Sequence, residues 1–154
     1  MRKMLLMLCA LALTACVRTA RDPATGNVDV DVESPTKTGE DWSARLSGMG
    51  TYSMVSGTAT AKVAEGRTDA TVTLTGGTPG QVHPWAIHEG KCSAMGMMVG
   101  TMSAYPDITV GANGNGQANV QLNARLDEAK DYAVAVHASH ANMATVIACG
   151  DLDD

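Results

Sequence analysis

The 154-residue sequence contains no phenylalanine, and aromatic residues make up only 3% of it. A core must therefore be filled by Val, Ile, Leu, Met and the two tryptophans. Basic residues are scarce, eleven against sixteen acidic, and they are scattered along the chain. That leaves no electrostatic footprint for nucleic acid, so no nucleic-acid partner is expected. Beyond Leu13 no apolar run is long enough to span a bilayer as a helix. There is no internal repeat, no nucleophile elbow and no phosphate-binding loop. The glycines between Gly111 and Gly116 lack a following helical pattern and read as a turn.

What is present begins with an address. Arg2 and Lys3 form a positive n-region, and Met4 to Leu13 form a short apolar run, the layout of a signal peptide. The run ends in Leu13-Thr14-Ala15-Cys16, which resembles a bacterial lipobox. The resemblance implies cleavage before Cys16 and lipid on its thiol, which anchors the chain to a bacterial membrane. Residues 1–15 are then signal peptide, and 139 residues remain. The removed segment carries two basic and no acidic residues, so nine basic face sixteen acidic and the mature formal charge is −7. The expected location is the cell envelope, lipid-anchored and periplasm-facing. Val17 does not resemble an inner-membrane retention signal, which favours the outer membrane.

The cysteines sort accordingly. Cys9 leaves with the signal and Cys16 takes the lipid. Cys92 and Cys149 remain, an even pair in an oxidising compartment, for which a disulfide is expected. A pair of thiolate metal ligands is the alternative.

Residues 16–41 are polar, carry Pro23, Gly26, Pro35 and Gly39, and read as an acylated, flexible tether. From Trp42 to the end at residue 154 the texture changes to short alternating runs between glycine turns. Strands are expected at Thr58 to Val63, Ala70 to Leu74, Val82 to His88, Gln117 to Leu122, Tyr132 to His137 and Thr145 to Cys149. Glu65-Gly66 reads as a turn, and Asn113-Gly114-Asn115-Gly116 reads as a tight hairpin connection. Only Asn123 to Asp131 has helix-forming composition, over too short a span to matter. The fold class is all-β, a sandwich or barrel.

Two segments resemble the copper/zinc superoxide dismutase family. Thr78 to Cys92, containing His83-Pro84-Trp85-Ala86-Ile87-His88-Glu89-Gly90-Lys91-Cys92, is similar to the strand carrying that family's His-x-His copper pair and first disulfide cysteine. Tyr132 to Ala138, followed by Ile147-Ala148-Cys149-Gly150, is similar to the late copper-histidine strand and its closing cysteine. The resemblance covers roughly residues 42 to 152 and implies a Greek-key β-barrel of about eight strands, with a Cys92–Cys149 disulfide. Strand alternation adds an independent expectation. Trp85, Ile87, Val134 and Val136 face inward, while Ala86, His88, Ala133, Ala135 and His137 face outward.

The departures from the family are as informative. Ala86 stands where the first histidine of the pair belongs. No histidine lies between Cys92 and His137, the interval in which the family has its bridging and zinc histidines, and Asp107 alone makes no zinc site. Val146 stands where active enzymes carry an anion-steering arginine. Zinc is therefore not expected, and copper is the candidate cofactor. Its candidate ligands are His88 and His137, with His140 and His83 in reserve. Met95, Met97, Met98 and Met102, in the loop after Cys92, and Met143 are soft donors suited to Cu(I); the competing role for these methionines is adaptable core filler. The function read from the sequence is a non-catalytic, superoxide dismutase-like envelope lipoprotein that binds copper. The alternatives are a copper-only superoxide dismutase with a rearranged ligand set, and a metal-free structural or interaction domain.

Overall fold

A computed structural model describes residues 20–21, 28–29 and 40–153. The expected signal peptide, Cys16 as the expected lipidation site and most of the expected tether lie outside these residues. Within the N-terminal unit, residues 1–36, β1 (Ala20–Arg21) pairs antiparallel with β2 (Val28–Asp29). Residues 37–154 form the second unit.

This second unit is built from β3 (Glu40–Gly48), β4 (Ser56–Ala64), β5 (Arg67–Thr75), β6 (Val82–His83), β7 (Trp85–Lys91), β8 (Ala94–Met98), β9 (Ile108–Thr109), β10 (Gly116–Leu122), β11 (Tyr132–Ser139) and β12 (Asn142–Leu152). Eight of them make one curled antiparallel sheet in the order β10-β5-β4-β3-β12-β11-β7-β8. Strands β3 to β5 form a meander, and β7–β8 and β11–β12 form hairpins. The chain crosses from β5 to β7, from β8 to β10 and from β10 to β11, so that β12 lies beside β3 and β11 beside β7. These returns to non-sequential neighbours are the Greek-key pattern. The expected all-β Greek-key architecture is the one observed.

The short runs form strands because their apolar residues recur every second position. In β4, Ala59, Ala61 and Val63 are buried, and in β5, Thr68, Ala70, Val72 and Leu74. Inward residues from all eight sheet strands except edge strand β8 are buried in one core, against which Met98 of β8 packs. Glu65 and Gly66 both adopt positive φ, 49° and 82°, the left-handed pair that a two-residue β4–β5 turn requires.

Two expectations about packing and connection change. No described methionine is fully buried, although Met98 and Met102 pack against the core from its margin; its interior is filled by Ala, Val, Leu, Ile, both tryptophans and the tyrosines Tyr105 and Tyr132. The turn at residues 113–116 exists, with Gly114 at φ 77° and its N–H on the Gly111 carbonyl at 3.0 Å. It is not a ladder hairpin, because β9 pairs with β6 and β10 pairs with β5.

Strand β11 breaks the alternation. Tyr132 to His137 are all buried, inward and outward residues alike. The outward side is covered by a disulfide joining Cys92, just after β7, to Cys149 in β12, with Cα atoms 5.9 Å apart. The bridge runs over β11, which lies between β7 and β12. Ala133 and Ala135 are the small residues beneath it, in a second cluster with Cys149 that Cys92, Met95 and Val146 flank. The Cys92 N–H also donates to the Asp151 carboxylate at 2.7 Å.

Candidate metal centre

The site begins with the anchoring of β7 from inside. Trp85 packs edge-on against Tyr105, ring centroids 5.1 Å apart, and donates its indole N–H to the Pro106 carbonyl at 2.8 Å. The Tyr105 hydroxyl donates to the Val99 carbonyl at 2.7 Å and accepts the Ile87 N–H at 3.3 Å. Burial pushes the Tyr105 hydroxyl up to about 12, only partly opposed by its backbone hydrogen bond to Ile87. With Trp85 and Ile87 fixed inward, Ala86 and His88 must face out.

The neighbouring strand supplies the second ring. The β7–β11 register sets Ala86 against Ala135 and His88 against Ala133, and the His137 N–H bonds the Pro84 carbonyl at 2.8 Å. His137 therefore shares the outward face with His88. Between them lie Ala86 and Ala135, both fully buried, a low floor across which the two rings meet. Their centroids stand 5.9 Å apart at an interplanar angle of 58°.

Each ring is held by a backbone carbonyl. His88 Nδ1 is 3.2 Å from the Gly96 carbonyl, and His137 Nδ1 is 2.7 Å from the Met143 carbonyl. A carbonyl oxygen only accepts, so each neutral ring carries its proton on Nδ1 and its lone pair on Nε2. Both Nε2 atoms are buried and have no hydrogen-bond partner, two of only three such side-chain atoms among the described residues. A buried acceptor left unpaired costs about 1–3 kcal/mol, and here the cost falls twice on one spot. The arrangement, a proton fixed on Nδ1 and Nε2 bare, is the form in which histidine ligates a metal. The two donors fit a metal ion.

Although His137 faces away from the barrel interior, it is only 5% exposed, and its Nδ1 meets the Met143 carbonyl at the start of β12. Burial holds its pKa below the ordinary imidazole range. The hydrogen bond to Met143 works against that shift, and the nearby His88 adds to it.

The other two expected histidines are engaged elsewhere. His83 Nδ1 is shared between the His137 and Ala138 carbonyls, at 3.1 and 3.0 Å, so this ring holds the strand that carries His137. His140 Nε2 lies 2.9 Å from both carboxylate oxygens of Asp107, an exposed surface pair. No group of three or more His, Cys, Asp or Glu side chains converges among the described residues. Val146 pairs with His137 in the β11–β12 ladder and is half-buried, so that position offers an apolar neighbour and no charge. The nearby lysines are paired, Lys130 with Glu89 at 2.7 Å and Lys91 with Asp131 at 3.6 Å.

Sequence reasoning could not find the Gly96 and Met143 carbonyls that orient the rings, because a backbone oxygen leaves no mark on residue type. It also read Ala94 to Met98 as loop, where the chain forms β8. Among the described residues no helix is long and apolar enough to cross a membrane. Comparison of the chain with protein-family models finds no match, and comparison with curated proteins finds none either.

Proposed function

We propose that this chain is a superoxide dismutase-like lipoprotein of the cell envelope, anchored through Cys16 on the periplasmic side, that binds copper through His88 and His137 without turning over superoxide. The observation that carries the reading is the pair of buried, unpartnered Nε2 atoms on facing rings, each with its Nδ1 proton fixed on a carbonyl. The disulfide and the Greek-key topology support the superoxide dismutase resemblance, while the envelope placement rests on the signal-peptide layout and the lipobox-like Leu13-Thr14-Ala15-Cys16.

Copper bound here would be a soft cation between two imidazoles. Dismutation needs a site that holds both oxidation states and a positive field that draws in the anion. Two nitrogen donors are too few for the first. The acidic chain and its carboxylate-paired lysines work against the second.

The test is copper stoichiometry on purified mature protein, followed by superoxide decay. One copper per chain, lost in His137→Gln, with superoxide decaying at the buffer rate, is expected. Fast copper-dependent decay would establish a dismutase with a rearranged ligand set and overturn the non-catalytic reading. No bound copper at micromolar levels would leave a structural domain.

A further inference from the structure

The methionines are what the core leaves unexplained. Seven of the ten follow residue 15, and none of the seven is buried. Met98 and Met102 pack against the margin of the core and Met95 against the small cluster beside the disulfide, but none fills the interior as a phenylalanine would. Met49, Met54 and Met97 are exposed, while Met95, Met98, Met102 and Met143 are half-buried.

Strand β8 decides which of them reaches the histidines. Its register with β7 pairs His88 with Met98 and Gly90 with Met95. Two steps along β7 thus face three along β8, a β-bulge, and a bulge re-aims side chains. Gly90 permits it: its φ is 87°, and a Cβ there would lie 2.5 Å from the Ala94 carbonyl oxygen. On the far side of the bulge, the Val99 N–H bonds the Ile87 carbonyl at 2.8 Å, and Val99 packs on the core with Ile87. Met98, one residue back, is paired directly with His88 and so shares its face of the sheet, while its half-buried side chain also packs against the core cluster, of which Ala86 is a member. Within the bulge Met97 is thrown out to 77% exposure, and beyond it Met95 turns to the disulfide, its Sδ 4.0 Å from Cys149 Sγ. Met98 is left half-buried and directly opposite His88, where paired Cβ atoms stand about 4.5–5.5 Å apart. Three rotatable bonds give its thioether the reach to the ring nitrogens. The same bulge supplies the Gly96 carbonyl that fixes the His88 ring.

We propose that the Met98 thioether is a third donor beside His88 and His137 Nε2, and that the set selects copper(I) over copper(II) and zinc. The proposal rests on the copper reading above and adds to it a ligand and an oxidation state. Two neutral imidazoles and a neutral thioether bring no negative charge, so a monovalent ion is desolvated here at far less cost than a divalent one. Thioether sulfur is a soft donor that favours Cu(I) and offers little to Zn(II).

The experiment is anaerobic titration of the mature protein with Cu(I) against a chromophoric chelator, with Met98→Leu, Met97→Leu and His88→Gln alongside. Met98→Leu should weaken Cu(I) binding at least tenfold and change Cu(II) binding less than twofold, while Met97→Leu leaves both unchanged. X-ray absorption of the Cu(I)-loaded parent should show one sulfur neighbour, a readout that does not depend on any variant folding. Loss of binding in His88→Gln, with Met98→Leu unaffected and no sulfur in the parent spectrum, would overturn the third donor and leave the two-histidine site standing. A parent that binds no Cu(I) at micromolar concentration would overturn both.

Discussion

Removing the Cys92–Cys149 bridge, as the double variant Cys92→Ala/Cys149→Ala, perturbs the edge of the sheet that presents His88. The two cysteines are 57 residues apart, and in the chain-entropy model closing a loop of that size stabilises the fold by about 4 kcal/mol. Single domains are stable by only about 5–15 kcal/mol in total, so the loss is a large share. Geometry says where it falls. The bridge ties the β7–β8 end, otherwise held through β11, directly to β12, over Ala133 and Ala135. The small floor beneath it then becomes exposed on one side. Urea unfolding of the oxidised parent and the double variant measures the difference. The midpoint should drop by an amount equivalent to about 4 kcal/mol with little change in slope. Hydrogen exchange should show the amides of β7 and β8 opening before those of β4 and β5. A stability difference under about 1 kcal/mol, or uniform loosening of all strands, would refute the reasoning.

Two further predictions concern titration. Tyr105 is held near pKa 12 in the folded protein by burial, against about 10 unfolded. A raised folded value means its contribution is complete below pH 10 and is lost as pH climbs through 12, about 2 kcal/mol after allowance for solvent screening. Absorbance titration of tyrosinate should show a component with a midpoint near 12 that vanishes in Tyr105→Phe; a parent in which all three tyrosines ionise near 10 would contradict this. For His137 the sign is opposite. Its folded pKa is lowered, chiefly by burial, so the unfolded chain takes up the proton first. Stability of the metal-free protein is then full above about pH 6.5 and falls as pH drops below it toward the folded value. Denaturant unfolding at pH 7.5 and 5.5 should show that decline in the parent and a smaller one in His137→Gln; equal declines would count against the buried neutral ring.

Most expected strands are found, Tyr132 to His137 and Thr145 to Cys149 within β11 and β12, and the clearest were those in which apolar and polar residues alternate. Thr58 to Val63, Ala70 to Leu74 and Gln117 to Leu122 appear as β4, β5 and β10, each lengthened by one to four residues. The expected strand at Val82 to His88 divides at Pro84, which has no N–H to give a ladder. Strand β8 was illegible because Ala-Met-Gly-Met-Met has neither β-branching nor alternation, and its bulge would have hidden alternation anyway. The meeting of His88 and His137 followed from alternation together with the family resemblance. The diversion of His83 to the β11 backbone did not, since its partners are carbonyls brought close only by the fold.

The third buried, unpartnered atom sharpens the case for the other two. Trp42 Nε1 is a lone donor on a large ring that packs edge-on against Tyr132 at 5.7 Å. The apolar area buried by such a ring outweighs one unsatisfied N–H, so a structural explanation suffices there. No such offset exists for the histidines. An imidazole buries little apolar surface, and leucine at either position would fill similar space without an unpaired nitrogen. The two bare nitrogens also occur together, on strands 49 residues apart in sequence, with their opposite ring atoms each committed to a carbonyl. Packing alone gives no reason for two such costs on rings whose centroids stand 5.9 Å apart; the proposed cation between the rings would remove both.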